Sequence, residues 1–120
     1  MPNPCIFHTL AVSMTARTLV VLTTLGSEEQ ARRFVRELVE SRLVACGTLF
    51  VGASSVYRWK ETVTEEREVV VLLKTDASRW DDLVAAVNER HPYEVPELLA
   101  LPVERGLDRY LNWVTSEVGA

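Results

Sequence analysis

The residues best suited to chemistry lie in one run, His91-Pro92-Tyr93-Glu94-Val95-Pro96-Glu97. It packs an imidazole, a phenol and two carboxylates between two prolines, an unusual density of hydrogen-bonding and metal-ligating groups for a connector. A neutral imidazole binds Cu²⁺ and other borderline ions through a ring nitrogen, and carboxylates can complete the set. His91 is therefore the candidate metal ligand, with Glu94 and Glu97 or a ligand from another subunit as helpers. The same ring also continues a helical apolar stripe and precedes a proline, where it can instead hydrogen-bond the last carbonyls of a helix. Both uses are open from the residues alone. Because the prolines fix φ and remove amide donors, a helix must stop near His91 and an extended segment must start after Pro96.

The elements that hold this junction can be read along the chain. Thr18 to Thr24 is β-branched and apolar, bounded by Gly26, and predicts a strand. Ser27 followed by Gln30 is a capping-box pattern, with Glu28 and Glu29 at the positive end of the helix dipole. Ala31, Phe34, Val35, Leu38 and Val39 then form one apolar stripe. Val44 to Trp59 predicts a long strand bent or bulged at Gly47 or Gly52, and Glu66 to Thr75 predicts the next. Lys60 to Glu65 is polar and lacks the Gly or Asn of a tight turn, so a wide or mobile connection is expected. Asp76 or Ser78 can cap a second helix with the stripe Trp80, Leu83, Val84, Val87 and His91. Leu98 to Val103 follows as a strand, an edge or bulged one because of Pro102. After Gly106, Leu107, Tyr110, Leu111, Val114 and Val118 mark a terminal amphipathic helix, in which Tyr110 and Trp113 serve packing.

The order βαββαβ plus a helix predicts an α+β chain, a ferredoxin-like sandwich with an extra C-terminal helix occupying residues 17–120. Residues 1–16 hold two prolines and no periodicity, and are expected to be a flexible extension; translation starting at Met14 is one consequence to test. Cys5 and His8 there make at most a weak metal site. The strands Leu19 to Leu22, Val69 to Leu73 and Leu98 to Leu101 are apolar on both alternating faces, so the second face of the sheet needs a cover. One short helix is too little, which implies a homo-oligomer, with the long hairpin reaching to a neighbour. Tyr57, Trp59, Lys74, Tyr93, Glu94 and Glu97 are then expected in a cleft between subunits. There they are either a binding site or interface anchors, with Lys74 and Glu97 as an ion pair. Cys46 joins that set as a soft ligand or redox thiol, its alternative being a packed thiol in an apolar strand.

Composition bounds the function classes. The 120 residues are 48% apolar and 25% charged, one ordinary domain in size and make-up. A net charge of -4, with no Lys/Arg cluster, argues against nucleic acid and against a membrane-surface patch. No apolar run approaches the roughly 20 residues of a membrane span. Met1 to Ser13 lacks the basic start and apolar core of a secretory signal, and two cysteines build no disulfide framework, so a cytoplasmic protein is expected. No phosphate-binding Gly-rich loop, Gly-x-Ser-x-Gly or His-x-x-x-His pattern is present, and the histidines are only His8 and His91; no enzyme and no organic cofactor are expected.

Several stretches carry a resemblance: V-L-T-T from Val21, L-V-E-S-R-L-V-A-C from Leu38, S-V-Y-R-W from Ser55, L-L-K-T from Leu72, H-P-Y-E-V-P-E from His91, A-L-P-V-E-R-G from Ala100 and Y-L-N-W from Tyr110. In this order and spacing they cover nearly everything after Ala16, and the chain resembles the CutA family of divalent-cation-tolerance proteins. The resemblance implies a ferredoxin-like subunit in a tight homotrimer, similar in architecture to the PII signalling proteins, with copper binding and a role in metal tolerance. The copper ligands of enterobacterial members are a first-strand cysteine and two adjacent histidines before Pro-Tyr. Thr23 and Arg90 stand at two of those positions here, leaving His91. The hairpin departs too, with Glu61-Thr62 where a Gly-Lys pair is common and Val51 where a proline is common. The alternative is a PII-like trimeric signalling or scaffold module whose clefts take a small molecule or partner protein.

Overall fold

Strand β1, Thr18–Leu25, is apolar or β-branched at every position and lies inside the sheet, paired on both sides. The computed structural model describes residues 17–119, so the expected extension over 1–16, with Cys5, His8 and the Met14 start, lies outside the described residues. Helix α1, Glu28–Glu40, begins where the Ser27 hydroxyl accepts a hydrogen bond from the Gln30 amide at 3.1 Å. Ion pairs Glu28–Arg32 and Glu29–Arg33 brace its outer side, while Ala31, Phe34, Val35 and Leu38 are buried. Val39, at the margin of the stripe, is exposed.

Strands β2, Cys46–Trp59, and β3, Thr62–Asp76, form a long hairpin. Its connection is not the wide or mobile one expected over Lys60 to Glu65. It is a two-residue turn, Lys60-Glu61, with φ of 49° and 69°, closing Trp59 onto Thr62. The β-branched run Thr62-Val63-Thr64 takes its polar surroundings into the strand, and the paired positive φ values match the twist of a hairpin even without glycine. Asp76 accepts from the Ser78 amide at 2.9 Å and caps a short 3₁₀ turn, Ala77–Arg79, ahead of helix α2, Trp80–Arg90. Strand β4, Leu99–Pro102, and helix α3, Asp108–Glu117, complete the chain.

The four strands run in the order β2-β3-β1-β4, each neighbouring pair antiparallel. This is an α+β arrangement of one antiparallel sheet and three helices, and Pro102 sits on an edge strand, where its missing amide costs no central ladder bond. One face carries the core: Val21, Leu25, Val69, Val71 and Leu73 pack with Phe34, Leu38, Leu83 and Val87. Each such buried side chain contributes about 1.5–3 kcal/mol. Helix α1 packs close against β2 at Gly47, where a Cβ would lie 2.6 Å from Val35 Cγ1 and 2.9 Å from Leu73 Cδ2.

The second face is covered unevenly. At one end Cys46 Sγ lies 3.7 Å from the Tyr110 hydroxyl, and Val114 and Val118 of the C-terminal segment pack on Ala45. Elsewhere apolar side chains stay open: Phe50 is exposed, and Leu99 and Leu101, opposite Leu22 and Val20, are 55% and 53% exposed.

Candidate functional site

The site begins with a count of residues along β2. Phe50 faces Val70 and Ala53 faces Glu68, so Val51 and Gly52 together stand opposite Val69. Gly52 takes φ of 86°, a conformation that L side chains rarely adopt, at this bulge. The extra residue inverts the alternation of the strand. Before it, Cys46, Thr48 and Phe50 share the second face with Lys74, Leu72 and Val70; after it, Ala53, Ser55 and Tyr57 share that face with Glu68, Glu66 and Thr64. Strand β1 ends at Leu25 opposite Val69, so from Thr62 to Glu68 β3 pairs with β2 alone and the two project as a ribbon.

The junction after α2 closes against the base of that ribbon. Between them lies a cleft of about 690 Å³, with Tyr57, Trp59 and Tyr93 as its aromatic walls and Glu66, Glu68, Glu94 and Glu97 as its carboxylates. Thr24, Ser55, Val56 and Val95 complete the lining. The Tyr57 hydroxyl donates to Glu66 at 2.6 Å, a diagonal cross-strand pair, and the Tyr93 hydroxyl donates to Glu68 at 2.8 Å. The carboxylate of Glu66 pushes the Tyr57 phenol above its ordinary pKa; burial, then Glu68, pushes Tyr93 well above it. Both phenols stay protonated and fixed as donors at neutral pH.

His91 stands behind this wall, 8% exposed. Its Nδ1 accepts from the Tyr93 amide at 3.1 Å, which places the ring proton on Nε2, donating to the Thr24 carbonyl at 2.8 Å. Phe34 and Tyr93 flank it edge-on, with centroids 5.7 and 4.8 Å away. Burial holds its pKa below the ordinary 6.5, so the ring is neutral at pH 7. Both nitrogens are therefore in use, and a metal ion could take one only by displacing a bond that shapes the junction.

The structure brings Tyr57, Trp59, Tyr93, Glu94 and Glu97 together in the cleft. It places Cys46 and Lys74 elsewhere, opposite each other on the part of the hairpin remote from the ribbon, with Cys46 beside Tyr110. Thr23 is wholly buried with its hydroxyl unpartnered, and Arg90 is exposed at the end of α2. Among the described residues no three His, Cys, Asp or Glu side chains are grouped to hold a metal ion. Sequence reasoning missed Glu66, Glu68 and Thr24. Thr64 to Glu68 is polar at every position, so no alternation marks which side chains share a face, and the partner face depends on the bulge.

Comparison with known proteins decides the family. The model of the CutA1 divalent ion tolerance protein family matches residues 19–117, which takes in the ribbon, the junction and α3. The chain belongs to the CutA1 family. It is 43% identical over 100 residues to the divalent-cation tolerance protein CutA of Thermus thermophilus, covering 83% of this chain and 97% of that one. A solved structure of the Thermus thermophilus divalent cation tolerance protein matches with a TM-score of 0.83 at 42% identity, over 85% of this chain and 99% of that one. A chloroplastic CutA protein of Arabidopsis thaliana is 35% identical over 102 residues, 85% of this chain and 56% of that one. The family and these bacterial relatives are named for tolerance of divalent cations. Among its described residues no helix is long and apolar enough to cross a membrane.

Proposed function

We propose that this CutA1 chain is a cytoplasmic, non-enzymatic cation-tolerance protein with a ferredoxin-like subunit, assembled as a homotrimer whose clefts bind divalent cations. The observation that carries the reading is the position of the acidic cleft beside open apolar surface. Four carboxylates line it, and Phe50, Leu99 and Leu101 on the same sheet face are half exposed, as expected of a surface that a second copy covers. Since the described residues of one chain group no three such donors, the ion takes donors from more than one copy. Oxygen donors suit hard and borderline ions; Cu²⁺ would in addition recruit a nitrogen of His91.

The test titrates Zn²⁺ and Cu²⁺ by calorimetry into the full chain and into its Leu101→Glu, His91→Ala and Glu94→Gln/Glu97→Gln variants, with sedimentation analysis of each. The full chain should sediment as a trimer and bind ions saturably; the Leu101→Glu chain should sediment as smaller species and bind at least about tenfold more weakly. A monomeric parent protein, or binding equal in all variants, would sink the proposal. A PII-like module that takes a small molecule is the second reading, favoured by the three aromatic rings in the cleft.

A further inference from the structure

The walls of the cleft are aromatic as well as acidic, and we infer that it binds a small organic cation with two or more ammonium groups, of the polyamine type. The inference deepens the reading of the cleft as a cation site and rests on it. Its first support is the distribution of charge. The four carboxylates are joined in the lining by no Lys, Arg or His, yet no three acidic, His or Cys side chains among the described residues group around one point. A point ion leaves such a set unsatisfied, whereas a flexible chain of ammonium groups meets the carboxylates one at a time.

The rings supply the second support. Tyr57, Trp59 and Tyr93 line the cleft, and aromatic π faces attract alkylammonium carbons and charge, which a hydrated metal ion does not exploit. The Trp59 ring already holds an ammonium, that of Lys60, at 5.6 Å from its centroid. Tyr57 and Tyr93 are tied down by Glu66 and Glu68, so little conformational freedom is lost when a ligand arrives. Each of these carboxylates accepts one phenol hydrogen bond and keeps lone pairs for an ammonium donor. At about 690 Å³ the cleft has the size of a small-molecule site.

The experiment titrates spermidine by calorimetry at low salt into the full chain, its Trp59→Leu variant and its Glu94→Gln/Glu97→Gln variant, with Zn²⁺ titrated into the same three proteins. Circular dichroism and sedimentation confirm that each variant keeps the parent's fold and assembly. The expected result is saturable spermidine binding, weakened about tenfold in each variant. No spermidine binding to the parent, as when a neighbouring copy fills the cleft, overturns the inference, and so does spermidine affinity unchanged by Trp59→Leu. If Zn²⁺ binds and spermidine does not, this inference alone is lost. If spermidine binds as expected and Zn²⁺ does not, the divalent-ion reading is lost and the organic-cation site stands.

Discussion

The helix-covered face of the sheet and the ribbon beyond the end of β1 share two strands but obey different constraints. On the covered face Val21, Val71 and Leu73 are fully buried, and the buried polar groups are largely answered. The Thr75 hydroxyl donates to the Leu43 carbonyl at 2.6 Å, and His91 uses both ring nitrogens. Beyond Leu25 the same β3 carries Glu66 and Glu68, and Val56, Trp59 and Val63 are exposed. What changes is the third strand. Where β1 pairs, it carries the sheet under the helices; where β1 ends, the hairpin has no layer to pack on. Core-forming and cleft-lining groups are thereby separated within single strands, so the cleft can vary without loss of the core.

The separation is sharpest for apolar side chains. Leu73→Ala, in the covered region, should lower unfolding free energy by about 2–5 kcal/mol in denaturant titrations. Val63→Ala, on the ribbon, should stay within about 0.5 kcal/mol. Equal losses would break the comparison. His91 is the link between the two regions, and removing its two hydrogen bonds in His91→Ala should cost about 1–3 kcal/mol. Its pH signature has a definite sign. Because burial depresses the folded pKa below 6.5, the native state holds fewer protons than the unfolded chain as the solution is acidified. Its contribution is therefore present above pH 6.5 and declines as pH falls toward the folded pKa. Urea midpoints measured at a series of pH values should show this decline in the parent and a flatter dependence in His91→Ala; parallel curves would contradict it.

The smallest effect belongs to the exposed ribbon. Glu66→Gln removes the main cause of the raised Tyr57 phenol, so one tyrosine should titrate closer to the ordinary value of 10.0 while the unfolding midpoint stays put. Spectrophotometric titration checks the first half and thermal unfolding the second. A phenol unmoved by the substitution would mean that the Tyr57–Glu66 contact does not persist in solution.

Local signals made much of this legible beforehand. The Ser27 cap, the stripe of α1, the strand of β-branched residues before it and the stop at His91-Pro92 depend on neighbours a few residues away, and each is where the pattern places it. The same locality explains the error at the hairpin, where composition argued for a loose loop and cross-strand pairing closed a two-residue turn.

The sequence by itself determined the elements, their order, the apolar character of both sheet faces and, through H-P-Y-E-V-P-E and its companions, the family. Only the tertiary structure decided which side chains meet. A single bulge at Val51-Gly52 sends Tyr57 to the face of Glu66 and Glu68, and the point at which β1 stops determines how far the ribbon projects. His91 likewise reads as a ligand or a packing group until Thr24, 67 residues away in sequence, and the backbone of Tyr93 take its two nitrogens. Register and long-range hydrogen bonds are sums over the whole chain, and a pattern of a few residues does not contain them.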